Sequence, residues 1–138
     1  MSQKAAQWTA AVLAFSMVST AAAETTFHRI NFDINSSNLR PDSVAILHEG
    51  AELMMRNPEM KARIEGSACA TEEGSNQLWF HRAIAARTFL VQHGVDPSQI
   101  LSVTAVSPKW QADTARAENV PCSERLRAVF FIDARISP

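Results

Sequence analysis

From Phe27 to Asn35 apolar and polar positions alternate, with Ile30, Phe32 and Ile34 on one side and Arg29, Asn31, Asp33 and Asn35 on the other. That period of two predicts a half-buried strand. Ser36-Ser37-Asn38 reads as a turn, and Pro41 sits where a first helical residue needs no N–H donor. The period then lengthens: Val44, Leu47, Ala51 and Met54 recur at three and four residues, while Glu49, Glu52 and Arg56 fall on the opposite side. This predicts an amphipathic helix to about Arg56, ended by Asn57-Pro58.

Lys61 to Gly66 alternates again, with Ala62 and Ile64 inward and Lys61, Arg63 and Glu65 outward, as a second strand does. After a polar loop through Thr71, Glu72, Glu73 and Gly74, a second helix is predicted from about Ser75 to His93. Ser75 or Asn76 serves as its cap, Leu78, Ala83, Ala86 and Leu90 face the core, and Gly94 takes the usual position after the last turn. Ile100 to Val106 is a third strand, and Leu126, Ala128, Phe130 and Ile132 are expected to form the inward side of a fourth. The intervening connection is too long for a structureless loop in a compact domain, which predicts a short helix around Asp113 to Glu118. The order βαβα followed by ββ predicts a two-layer α/β (α+β) sandwich, with two main helices on one side of a mixed sheet.

The N-terminal residues change the cellular picture. Lys4, the apolar run from Ala10 to Val18 and the small residues Ala21-Ala22-Ala23 form the three parts of a secretory signal peptide, residues 1–23. The run is about half the ~20 residues needed to span a bilayer, so cleavage after Ala23 and a soluble exported chain are expected. Residues 24–138 suit one domain with one core. The whole chain carries a formal charge of −1 and the signal holds its only charge in Lys4, so the exported part is close to neutral. A nucleic-acid binder would need a basic face, which this balance argues against.

Both cysteines, Cys69 and Cys122, lie in the exported part, where a disulfide is the default reading. Metal is the sharper alternative, but there is no CxxC or HxxxH pair, and His28, His48, His81 and His93 are scattered along the chain, with only His81 and His93 on one predicted helix. No metal and no cofactor are expected. No nucleophile, base and orienting group fall into a readable set either, so an enzyme is the weakest class.

Ile30-Asn31-Phe32-Asp33-Ile34-Asn35-Ser36-Ser37-Asn38-Leu39-Arg40-Pro41 closely resembles the opening strand and turn of OmpA-like C-terminal domains, found in outer membrane protein A and the peptidoglycan-associated lipoprotein. Ile64-Glu65-Gly66, Leu78 with Arg82-Ala83 and Leu90, and Gly94-Val95-Asp96-Pro97-Ser98-Gln99-Ile100 resemble later parts of that domain. Arg125-Leu126-Arg127-Ala128-Val129-Phe130 is similar to its closing strand, less faithfully. The resemblance covers nearly all of residues 24–138 and implies a periplasmic, outer-membrane-associated cell-envelope domain.

Such domains bind the diaminopimelate of peptidoglycan stem peptides, which carries an ammonium and a carboxylate. The resemblance implies that Arg82 takes the carboxylate through paired N–H donors, with Ser67 and Arg127 completing the candidate set. The family's acid for the ammonium is missing, because its Gly-His-Thr-Asp stretch stands here as Gly66-Ser67-Ala68-Cys69. Glu72 or Glu73 are the carboxylates available from the next loop to replace it. In the resembling domains the segment before the last strand lies beside the end of the second, so a Cys69–Cys122 bond would cross the ligand pocket.

Two functions from different classes follow. One is a non-catalytic periplasmic peptidoglycan-binding domain with a degenerate diaminopimelate site. The other is a structural or protein-interaction subunit of an envelope complex that has lost that site. The partners are accordingly a peptidoglycan stem peptide or envelope proteins.

Overall fold

The computed structural model describes residues 28–133, so the signal peptide expected at 1–23 lies outside the described residues. The elements run β1 (Arg29–Asn31), α1 (Pro41–Arg56), β2 (Ala62–Gly66), α2 (Ser75–Gln92), β3 (Ile100–Ala105), α3 (Pro108–Glu118) and β4 (Ala128–Asp133), with 3-10 turns at Pro97–Gln99 and Glu124–Arg127. The sheet order is β1-β4-β2-β3, with β4 antiparallel to both neighbours and β2 parallel to β3. The last strand in sequence is therefore central, and it joins the first strand to the βαβ unit.

The α1–α2 layer covers one side of the sheet. Ile30, Ile64, Val129 and Phe131 meet Leu47, Ala51 and Met54 of α1 and Ala83, Ala86 and Leu90 of α2 in one buried core. Both helices bury the positions their spacing predicts, except that Val44 is only half-buried and Ser43 and Gly50 share the covered side. The Ser43 hydroxyl donates to the Asn31 carbonyl, which ties α1 to the end of β1. Gln99 closes the other end of α1: its buried amide donates to the carbonyl of Met54 in the last turn and to those of Asn57 and Met60 just beyond it.

Two expectations are corrected. Ile34 is exposed, because β1 ends at Asn31 and the chain turns through Asp33–Ser36, with Asn35 at φ 58°. In β4, Val129 and Phe131 face the core, while Phe130 and Ile132 lie on the other side, beneath Trp110 of α3. The register differs by one residue, which exchanges the two sides of the strand. Three smaller adjustments concern the helices. The α2 N-cap is Gly74, with no side-chain cap, rather than Ser75 or Asn76. The short helix begins earlier, at Pro108, where the Ser107 hydroxyl accepts from the Trp110 N–H. Leu126 is buried, but in the 3-10 turn before β4.

Candidate functional site

Three segments converge at the C-terminal end of β2: residues 33–36 after β1, residues 67–74 between β2 and α2, and α2 itself. Gly66 permits this convergence, because a Cβ there would collide with the backbone carbonyl of Trp79. The helix is thereby set close enough to the strand for Arg82, one turn further on, to lie beneath the loop.

Arg82 is fully buried. Its Nε–H donates to the Ser36 carbonyl (2.8 Å), Nη1 to the Ser67 carbonyl (3.1 Å) and Nη2 to the Asp33 carbonyl (3.1 Å). Nη1 and Nη2 also donate to the two oxygens of Glu72, at 2.8 and 2.5 Å. A guanidinium has five N–H donors, so none is left over. The Phe32 ring lies 5.5 Å from the guanidinium carbon and completes the enclosure.

Glu72 is equally engaged. Its Oε1 also accepts from the Cys69 N–H (2.9 Å) and its Oε2 from the Asn35 N–H (2.8 Å). Burial works against the charged form of this carboxyl, but the bonds from Arg82, Cys69 and Asn35 and the charge of Arg82 outweigh it. The pKa is held below its usual value of 4.5. Asn35 adds a second tie, its side-chain oxygen accepting from the Glu73 N–H. The left-handed backbone at Asn35 turns its amide toward one glutamate and its side chain toward the next.

Cys69 and Cys122 form a disulfide that links this loop to the segment before β4, with the Cα atoms 5.4 Å apart. The bond stands where the resemblance places the missing acid. Among the described residues, Cys69, Glu72 and Cys122 are also the one group whose donor atoms lie within metal-binding distance of each other. With both sulfurs in the disulfide and the carboxylate committed to Arg82, that group has no ligand atoms to offer a metal.

The candidate residues are therefore brought together, in an enclosed arrangement. Ser67 is buried and its hydroxyl has no hydrogen-bond partner among the described residues. Arg127 stands at the edge, with Nε donating to the Phe32 carbonyl and Nη1 to the Cys122 carbonyl. Of the two loop glutamates, Glu72 points inward and Glu73 is exposed. Asn35, Ser36 and Gln111 belong to the arrangement, although the sequence reading gives them no role in the site. The Gln111 side chain donates to the Ala68 carbonyl, and an amide at that point of a surface helix carries no pattern that would reveal it.

The OmpA family model matches residues 31–121. A peptidoglycan-associated lipoprotein of Brucella melitensis is 32% identical over 97 residues, covering 66% of this chain and 58% of its own length. That of Agrobacterium fabrum is 32% identical over 104 residues, covering 73% of this chain and 57% of its own. The chain thus spans less than three fifths of these relatives. Among solved structures, the peptidoglycan-associated lipoprotein of Burkholderia pseudomallei aligns with a TM-score of 0.58 at 17% identity, over 77% of this chain and 89% of that one. The C-terminal domain of Helicobacter pylori MotB aligns with a TM-score of 0.57 at 20% identity, over 75% and 83%. At these identities the likeness establishes the fold.

Proposed function

The chain belongs to the OmpA family, and from that premise we propose that it is a non-catalytic periplasmic domain of the cell envelope whose diaminopimelate site is degenerate and filled by its own Glu72. In this reading it acts as a structural or protein-interaction subunit. The signal at residues 1–23 directs export and is removed after Ala23.

The observation that carries the reading is the state of Arg82. A ligand carboxylate needs paired N–H donors, and all five donors of this arginine already have acceptors within the chain. The family's ammonium partner is absent as well, since Cys69 holds its position and is bonded to Cys122. Losing one charge-assisted bond at the ammonium weakens a ligand by roughly 1.5–3 kcal/mol, or about one to two decades of affinity. The need to displace Glu72 adds to that loss. Among the described residues, no helix is long and apolar enough to cross a bilayer.

Retained peptidoglycan binding is the second reading. It is favoured by the name of the relatives and requires Glu72 to leave Arg82. Co-sedimentation with purified sacculi separates the two. Protein recovered from the periplasm is spun with sacculi beside the matching domain of the Brucella melitensis lipoprotein as the positive control. The expected result is a chain left in the supernatant under conditions that pellet the control. Pelleting to the same extent as the control overturns the proposal.

A further inference from the structure

The outer side of the sheet, opposite the α1–α2 layer, carries a groove of about 430 Å³ that is separate from the Arg82 site. Phe130 and Ile132 of β4 form its floor, Trp110 of α3 and Val106 one wall, and Glu65 of β2 and His28 stand among the other lining residues. The Trp110 and Phe130 rings meet edge to face, with centroids 5.2 Å apart. Glu65 is the direct cross-strand neighbour of Phe130, which sets its carboxylate beside the rings. It is half-buried and makes no side-chain hydrogen bond or ion pair among the described residues.

A carboxylate partly withdrawn from water beside two aromatic rings, with no cation paired to it among the described residues, is an arrangement complementary to a cation. Arg63, on the same side of β2, is engaged elsewhere, and Arg29 stands across Phe130 outside the groove lining. Between the two basic side chains, a guanidinium suits the site better than an ammonium. Its flat surface stacks on Trp110 and Phe130 while its paired N–H donors meet one carboxylate. The volume falls in the range of small-ligand sites and leaves room for an apolar neighbour against Ile132 and Val106.

We propose that this groove is a docking site for an arginine side chain presented by an extended segment of a partner protein, with Glu65 as its counter-charge. The partner class rests on the interaction-module reading above. The groove shares no residue with the Arg82 site, so its test can fail while the sacculi result stands.

The test is an NMR titration of the isotope-labelled protein with the blocked tripeptide acetyl-Leu-Arg-Leu-amide. The readout is the Trp110 indole N–H, with that of Trp79 as internal control, since its indole donates locally to the Asn76 carbonyl away from the groove. Saturable movement of the Trp110 signal is expected, with Trp79 unmoved. Replacing arginine by citrulline in the peptide, or Glu65→Gln in the protein, should weaken binding about tenfold or more. The Trp79 signal and the dispersion of the spectrum report whether Glu65→Gln remains folded. An unmoved Trp110 signal at 10 mM peptide, on the order of the weakest useful affinity, overturns the proposal. So does equal binding of the arginine and citrulline peptides, or of an all-leucine peptide, which would make the groove a purely apolar contact.

Discussion

Glu72→Gln keeps the shape of the side chain and removes only its charge and one acceptor, so it isolates what the carboxylate does for Arg82. Each oxygen of Glu72 faces two donors, Oε1 meeting Cys69 N–H and Arg82 Nη1, and Oε2 meeting Asn35 N–H and Arg82 Nη2. Either orientation of a glutamine amide therefore points its NH₂ at two other donors. The fully buried guanidinium loses its counter-charge at the same time, and breaking a buried pair by removing one partner costs about 3–5 kcal/mol. Three backbone carbonyls still hold Arg82, which places the expected loss near the lower figure. For a domain of this size that lowers the melting temperature by roughly 12 °C, at about 4 °C per kcal/mol. Urea unfolding of Glu72→Gln, Arg82→Met and the double variant completes the cycle. A coupling of about 2 kcal/mol is expected, because once one partner is gone the other gains little from staying.

The pH dependence has a definite sign. The folded carboxyl is held below 4.5, so its contribution is complete above the unfolded value and is lost as pH falls through the folded one. The stability difference between wild type and Glu72→Gln should accordingly shrink on acidification below about pH 4.5. A loss under about 1 kcal/mol at neutral pH, or effects that add within about 0.5 kcal/mol, would refute the internal-pair account.

Two further outcomes test the frame around the site. Reducing Cys69–Cys122 opens a closure of 53 residues, which on the chain-entropy model removes about 4 kcal/mol. The melting temperature should fall by roughly 15 °C, and non-reducing peptide mapping of periplasmic protein should recover the linked pair; two free thiols would contradict it. Gly66→Ala should destabilise by at least about 1 kcal/mol, since the added methyl must push α2 from β2 at the Trp79 carbonyl. Unchanged denaturation would show that the helix does not seat on that strand as described.

The strength of the periodic signal decided what was legible in the chain. Leu78, Ala83, Ala86 and Leu90 mark the buried side of α2 because they recur with the helical period. In β4 the alternation fails as a guide, because both sides of this central strand carry apolar residues. Val129 and Phe131 pack on the helices while Phe130 packs on Trp110, leaving no polar side to fix the register. Ile34 misleads for the opposite reason: it continues the alternation in sequence after the strand has ended, because residues 33–36 bend to bring two carbonyls to Arg82. The cysteine pair could be read from compartment and number alone. The choice between Glu72 and Glu73 could not, since it depends on the left-handed turn at Asn35, thirty-seven residues earlier in the chain.

The internal pair also lowers the affinity of Arg82 for any outside carboxylate. Any external carboxylate arriving at Arg82 competes with one carried on the same chain. A tethered competitor acts at an effective concentration of about millimolar or more, independent of protein concentration. The fraction of molecules with Arg82 open scales the apparent affinity of every such ligand. Glu72 holds its place through four hydrogen bonds, two of them to backbone N–H groups that would be orphaned by its departure. The disulfide fixes the Cys69 end of the same loop, so the loop cannot swing out from that side. In the proposed reading, a cysteine in place of the acid at position 69 and internal pairing of the arginine thus support one another. Without an ammonium partner for the ligand, a buried arginine would stand uncompensated in the unliganded fold, and Glu72 removes that cost. A variant that restores the acid by Cys69→Asp would on this reasoning still fail to bind diaminopimelate until Glu72 was also removed.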